Sequence, residues 1–264
     1  MPRDTYPLMD DPEPAASPRA RGIDEALLLP RRPRPVIVVA FLTFWLVWLV
    51  ALGFLRWHHP GHGHGDPTTD ANILNGGHHF ARDGLWSSWG VPAIDTYRAD
   101  GHAPDRYITY PPGAYWFHHL VRSLGIQSLE GFRIVSIAVS GLAVLLMFAM
   151  LSRVCRDAAP AAIACALYML SKPFIEYADA LHYLSLSQFT LMLALYAWVR
   201  CDDAAEDGLA SAAILWLGIC LVATIADAFL TFEHALFIPA FAAARTLWFR
   251  RWPRLLGVAV LLAI

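Results

Sequence analysis

A single lysine, Lys172, stands among the 264 residues, and charged side chains of all kinds make up only 16% of them. Set against 57% hydrophobic and 12% aromatic residues, so little charge leaves more apolar surface than an ordinary soluble domain can hide from water. A bilayer is the solvent this composition suits. The net charge is only -2, and no basic stripe with interleaved aromatics stands apart from the apolar runs, so no nucleic-acid partner is expected. Cysteine is scarce as well. The four present, Cys155, Cys165, Cys201 and Cys220, all lie outside the long polar stretch at 56–131, which argues against a disulfide framework and against cysteine-ligated zinc. Glycine-rich phosphate loops, G-x-S-x-G and C-x-x-C are missing too, and with them the usual signatures of nucleotide hydrolysis, serine hydrolysis and dithiol redox chemistry.

Long apolar runs are what the chain does have. A hydrocarbon core about 30 Å thick needs roughly 20 apolar helical residues, and runs approaching that length occupy 36–55, 134–151, 158–171, 184–199, 209–226 and 235–249. A seventh begins at Leu255 and reaches Ile264 after ten residues, too few to cross. The expectation is therefore an all-α, polytopic transmembrane helix bundle, and the run that stops mid-membrane marks the chain as a C-terminally truncated piece of a longer protein. The run at 158–171 spans only about 21 Å as a helix, so it is expected either to continue through Pro173 or to lie tilted. Arg31, Arg32, Arg34, Arg153, Arg156, Arg200, Arg250, Arg251 and Arg254 all fall at alternate ends of these runs. They assign one cytoplasmic side, and the loop 56–131 then lies on the extracytoplasmic side. Residues 1–35 hold eight of the 18 prolines and read as a disordered cytoplasmic tail. Abundant Arg and Ala beside one Lys point to a GC-rich bacterial genome, hence to a multi-pass protein of the inner (cytoplasmic) membrane.

Polar chemistry is concentrated in the loop 56–131, and a loop of that length is usually functional. The stretch PTTDANILNGGHHFARDGLW predicts a helix opening at Thr68 or Thr69, with Asp70 in its first turn where a carboxylate meets the helix dipole favourably. Further on, TYPPGAYWFHHLVRSLG predicts an amphipathic interfacial helix that starts at a proline pair. His118 and His119 point about 100° apart on it, so at most one of them can face a site. Upstream, RWHHPGHGHGD is broken by Pro60 and three glycines, so no regular structure holds its histidines together. His62 and His64, with Asp66, are the most plausible set for a divalent metal. Asp70 and His78, about 12 Å apart on a helix, cannot share an ion. A mobile loop that orders over a site is the reading preferred to a metal centre.

Taken in order, these features resemble a known family. An anchor, an outer D-A-x-x-L at Asp70, a PP-G-x-Y-W helix at Pro111, FRIVSIAVSGLAVLLMFAMLSRV, and then FIEYADALHYLSLSQFTLMLALYAWVR are similar to the C superfamily of glycosyltransferases. The likeness is to the bacterial branch related to protein mannosyltransferases and the lipid A aminoarabinose transferase. It covers residues 36–250 and rests on the order of the motifs. It implies a sugar taken from a polyprenyl-phosphate donor in the lipid bilayer and transferred, with inversion, to an extracytoplasmic acceptor, with no cofactor required.

Such a reaction needs a carboxylate to accept the proton of the attacking hydroxyl. Asp70 matches the family's acidic position; where many members have Asp-Glu, this chain has Asp70-Ala71, which leaves Asp66 as the assisting acid. The departing phosphate needs positive charge or hydrogen-bond donors. Lys172, Arg82, Arg133 and His182 are the candidates, and Asp179 lies where related enzymes often carry Asp before A-L, or else serves as the partner of Lys172. Two other classes of function fit the same residues: a non-catalytic scaffold that binds polyprenyl lipid, and a transporter whose histidines capture a metal at its outer mouth.

Overall fold

The computed structural model describes residues 35–58, 67–93, 111–181 and 183–248, all within one compact unit, 33–264. Among the described residues helices follow one another without a β-strand: α1 Pro35–His58, α2 Pro67–Asp83, α3 Gly113–Ser123, α4 Leu129–Val154, α5 Ala158–Met169, α6 Lys172–Tyr177, α7 Tyr183–Glu206, α8 Ala210–Ala228 and α9 Phe232–Trp248. The tail before Pro35 and the run from Leu255 lie outside the described residues.

Among the described residues three helices are long and apolar enough to cross a membrane: Pro35–Trp57, Leu129–Val154 and Ala210–Ala228, with 23, 26 and 19 residues. At 1.5 Å per residue each reaches roughly 30 Å or more. Their ends are written locally. Ser128 caps α4 by accepting the Gly131 N–H at 3.1 Å, with Glu130 in the first turn and Arg153 in the last, the polarity the helix dipole favours. Asp157 caps α5 through the Ala159 N–H at 3.1 Å.

The run at 158–171 does not continue through Pro173. α5 stops after 12 residues, about 18 Å, and Pro173 occupies the first turn of a new helix, α6. Proline is tolerated there because its missing N–H has no partner to lose, whereas inside α5 it would break the hydrogen-bond ladder. α7 has the length to cross, at 24 residues, but buries Ser185, Ser187, Thr190 and Asp202 along its packed side. Pro239 interrupts the 17 residues of α9.

Close approach between helices depends on small residues. Gly141 on α4 lies against Leu49, so that any Cβ would collide with it. With that space open, the Trp45 indole N–H reaches the Gly141 carbonyl at 3.0 Å, and Phe41 stacks on Phe148 with ring centroids 4.3 Å apart. α7 meets α8 in a cluster rich in Ala194, Ala197, Cys220 and Ala223, the composition that lets membrane helices touch along their backbones. Outward faces are apolar instead: Val39, Leu46, Val50 and Phe54 on α1, and Ile214, Leu215 and Val222 on α8, are exposed. Lipid is the environment that makes such faces stable.

A second layer covers one end of this bundle. α2 and α3 pack together and, through Ile73, Phe80, Tyr115, Val121, Phe132, Leu181, Leu186 and Leu230, onto the nearby ends of α4, α7 and α8. The Gly113 N–H donates to the Phe229 carbonyl at 2.7 Å, and the Trp116 indole donates to the Gly90 carbonyl at 2.8 Å. The first contact seats α3 on the α8–α9 turn, and the second ties it to the segment that follows α2. Away from this layer, within the last turns of α4 and α7, Arg153 meets Asp203 at 2.8 Å.

Candidate functional site

The strip from Ile175 to Leu181 carries the residues around which the α2–α3 end is organised. Such a strip has more backbone polar groups than its own short helix satisfies, and buried ones must find partners. Ser140 on α4 donates to the Ala178 carbonyl at 3.0 Å. Arg56, in the last turn of α1, donates to the Ile175 carbonyl at 2.5 Å and reaches the Asp179 carboxylate at 3.2 Å. The Leu181 N–H donates to Asp70 Oδ1 at 2.9 Å, while His118 Nε2 meets the Leu181 carbonyl at 2.9 Å. Helices α1, α2, α3 and α4 thus grip one strip, and two of its partners, Arg56 and Asp70, stand 119 and 111 residues before the groups they bind.

Asp70 lies in the first turn of α2, as its place after Thr68 and Thr69 predicts. It is buried, as is Asp179. A carboxylate taken out of water needs donors or an opposite charge. Asp70 has the Leu181 amide, and Asp179 has the Arg56 guanidinium. Arg56 therefore takes the place of Lys172, which the sequence offered as the Asp179 partner. Lys172 instead sits at the start of α6 with its side chain 81% exposed, 3.6 Å from Glu176 one turn on. Geometry explains the exchange: the first turn of α6 directs Lys172 outward, whereas α1 ends with Arg56 pointing into the bundle.

The remaining candidates are not gathered at one point by the contacts they make. Arg82, at the far end of α2, donates to its neighbour Asp83 at 2.8 and 3.0 Å and meets His79 Nδ1 at 3.3 Å. Arg133 is half-buried in the first turns of α4. His182, Asp66, His62 and His64 lie outside the described residues. Among the described residues no three His, Cys, Asp or Glu side chains come together as a metal would require.

Arg56 and His118 are what sequence reasoning passed over. Arg56 follows a span as an interfacial anchor would, and nothing local distinguishes that from a buried partner. Of the two adjacent histidines of the amphipathic helix, the sequence did not say which turns inward; His118 does, at 2% exposed. A carbonyl only accepts, so Nε2 carries the proton in that bond. Burial pulls the His118 pKa from 6.5 down to about 4, against a smaller upward pull from the Leu181 carbonyl, and the ring is held neutral. It stacks edge-on against Phe132 at 5.2 Å. The signal that distinguishes it in the sequence is its spacing: His118 shares a face with Ala114, Tyr115 and Val121, the buried side of α3.

Chemically the arrangement offers a fixed carboxylate, Asp70, beside a buried Arg–Asp pair at the end of a membrane bundle. No family model, no curated protein and no solved structure matches this chain.

Proposed function

We propose that the chain is an integral-membrane glycosyltransferase that moves a sugar from a polyprenyl-phosphate donor to an acceptor hydroxyl on a lipid, glycan or protein. The single observation that carries the reading is the bond between Asp70 and Leu181. It joins the D-A-x-x-L motif of α2 to the FIEYADALHY motif before α7, a contact that supports reading the two acid-bearing motifs of the family resemblance together. In that reading Asp70 takes the proton from the acceptor oxygen as that oxygen attacks the anomeric carbon. The bond from that carbon to the phosphate oxygen breaks on the opposite face, and the phosphate leaves with the electron pair. Asp66 assists, Lys172 supplies charge for the phosphate, with Arg82, Arg133 and His182 as alternatives to it, and Asp179 positions the strip through Arg56. The reaction requires no cofactor, and His62 with His64 is where a divalent metal would bind. The bacterial inner membrane, with the α2–α3 end extracytoplasmic, is the location that suits a polyprenyl donor.

A second reading has its own observation. Asp70 is 6% exposed and spends one oxygen on a backbone amide, as a purely structural carboxylate would. The chain would then be a scaffold that binds polyprenyl lipid without catalysis. Transfer of radiolabelled sugar from polyprenyl-phosphate donors, in membranes bearing the protein or its Asp70→Asn variant, separates the two. Asparagine keeps the oxygen that accepts the Leu181 N–H but cannot take a proton. Transfer lost in a well-inserted variant supports the base; transfer unchanged in that variant refutes it. A parallel assay with chelator reads the metal question.

A further inference from the structure

A cavity of about 320 Å³ lies between α4, α5, α6, α7 and α9, on the Ser140 side of the strip whose other contacts hold Asp70. Its size is at the low end for small-molecule sites. Among the described residues no Lys, Arg, Asp or Glu lines it; its polar groups include the Tyr168 hydroxyl, the Gln188 amide, Ser140 and His234. Phe174 and Tyr177 give it aromatic walls, with Tyr168 edge-on to Phe174 at 5.4 Å. Gln188 donates to the Tyr168 hydroxyl oxygen at 2.5 Å. That leaves the Tyr168 O–H to donate and the Gln188 carbonyl to accept.

His234 connects this cavity to a deeper polar group. Its Nδ1 lies 2.6 Å from Ser187 Oγ and 3.7 Å from Asp227 Oδ2. Asp227 is 0% exposed, and its Oδ1 accepts the Thr190 hydroxyl at 2.6 Å. An ionisable group buried in a membrane bundle is costly to keep and marks a functional position. Serine and aspartate meet the same ring nitrogen, so this is not a hydrolase triad, in which nucleophile and acid occupy opposite nitrogens. With Nδ1 engaged, Nε2 is the nitrogen left to face the cavity.

Among the described residues the lining offers a charged ligand no Lys, Arg, Asp or Glu as counter-ion, and a purely apolar ligand would leave the second hydrogen-bonding group of the Tyr168–Gln188 pair, the Tyr168 O–H and the Gln188 carbonyl, with nothing to bind in the cavity. Hydroxyl groups on a ring with an apolar face satisfy both kinds of wall. We infer that this cavity binds a neutral polyhydroxylated ring of the pyranose class, through His234, Gln188 and Tyr168. The site is separate from Asp70 and stands without the transfer reading, because its evidence is the cavity and the Asp227–His234 pair alone.

Carbethoxylation of His234 by diethyl pyrocarbonate, followed by peptide mass spectrometry on the full chain in lipid nanodiscs, tests this. The probes are methyl glycosides of glucose, mannose, galactose and arabinose, and in a second arm nanodiscs containing monoglucosyl diacylglycerol. At near-saturating ligand, protection should slow modification by about tenfold. Protection by a methyl glycoside identifies a free sugar as the source, and protection by the glycolipid alone identifies a headgroup. Both support the site. Unchanged modification with every probe overturns it, as does a His234 that never reacts. So does protection that persists in the Tyr168→Phe/Gln188→Leu double variant, since it would then arise elsewhere.

Discussion

Asp70 and His118 hold the same residue from opposite sides: the Leu181 N–H enters the Asp70 carboxylate, and the Leu181 carbonyl takes the His118 Nε2–H, each at 2.9 Å. α2 and α3 are thereby both tied to the strip that precedes α7. Because each bond is buried, loss of one partner leaves a polar group unsatisfied, and such a loss costs more than the bond itself contributes.

Asp70→Ala should lower stability by about 1–3 kcal/mol, and Asp70→Asn by less than about 1 kcal/mol, since only the first abandons the Leu181 N–H. Thermal unfolding of the two variants in nanodiscs measures the difference. Equal losses would mean that the acceptor oxygen is not what matters, and the structural account of Asp70 would fail.

Stability should fall as the medium is acidified, in a window set by His118. Its folded pKa, about 4, lies below the unfolded value of 6.5. Above pH 6.5 the ring is neutral in both states and the stabilisation is complete. Between 6.5 and 4 the unfolded chain binds a proton that the folded one refuses, and about 3 kcal/mol is lost across that interval. Below about pH 4 both forms are protonated and the loss levels off. Comparison of unfolding curves for the wild type and His118→Gln from pH 7 to 4 checks this; identical pH slopes would contradict the assignment to His118.

Arg56→Ala alone strands the Asp179 carboxylate and should cost about 3–5 kcal/mol, whereas Arg56→Met with Asp179→Leu should cost clearly less. The signature is a strong non-additive coupling in a double-mutant cycle. By contrast Lys172→Ala, in an exposed pair one turn apart, should change stability by under about 0.5 kcal/mol. If sugar transfer is nonetheless lost in Lys172→Ala, the lysine acts on the donor and not on the fold. Additive behaviour of Arg56 and Asp179 would show that their contact is energetically idle.

Gly113→Ala should undock α3. A Cβ there runs into the Phe229 carbonyl, the same oxygen that accepts the Gly113 N–H at 2.7 Å. Backbone cannot yield as a side-chain tip can, and overpacking of this kind costs about 1–3 kcal/mol. Limited proteolysis and hydrogen exchange of residues 113–123 should both rise in the variant. Wild-type protection would show that α3 finds another seat.

How far the sequence could be read differs from element to element. The three apolar helices α1, α4 and α8 were legible because length and hydropathy are local properties that a bilayer selects directly. Asp70 in a first turn was legible from the threonines before it, and α3 from its proline start and amphipathic spacing. The split between α5 and α6 required knowing which way the chain would resolve Pro173: one tilted run or two helices.

By itself the sequence determined that this is a helical membrane protein and where along the chain its apolar helices lie, since prolines and apolar length act over a few residues. Only the tertiary structure decided that Arg56 belongs to Asp179, that His118 and Asp70 converge on Leu181, and that Asp227 stands behind His234. An amphipathic pattern tells which face of a helix is covered and leaves open what covers it. A buried charge or hydrogen-bond donor is satisfied by whichever group the packing brings within about 3 Å, and sequence separations of 63 and 111 residues at Leu181 carry no local trace of that choice.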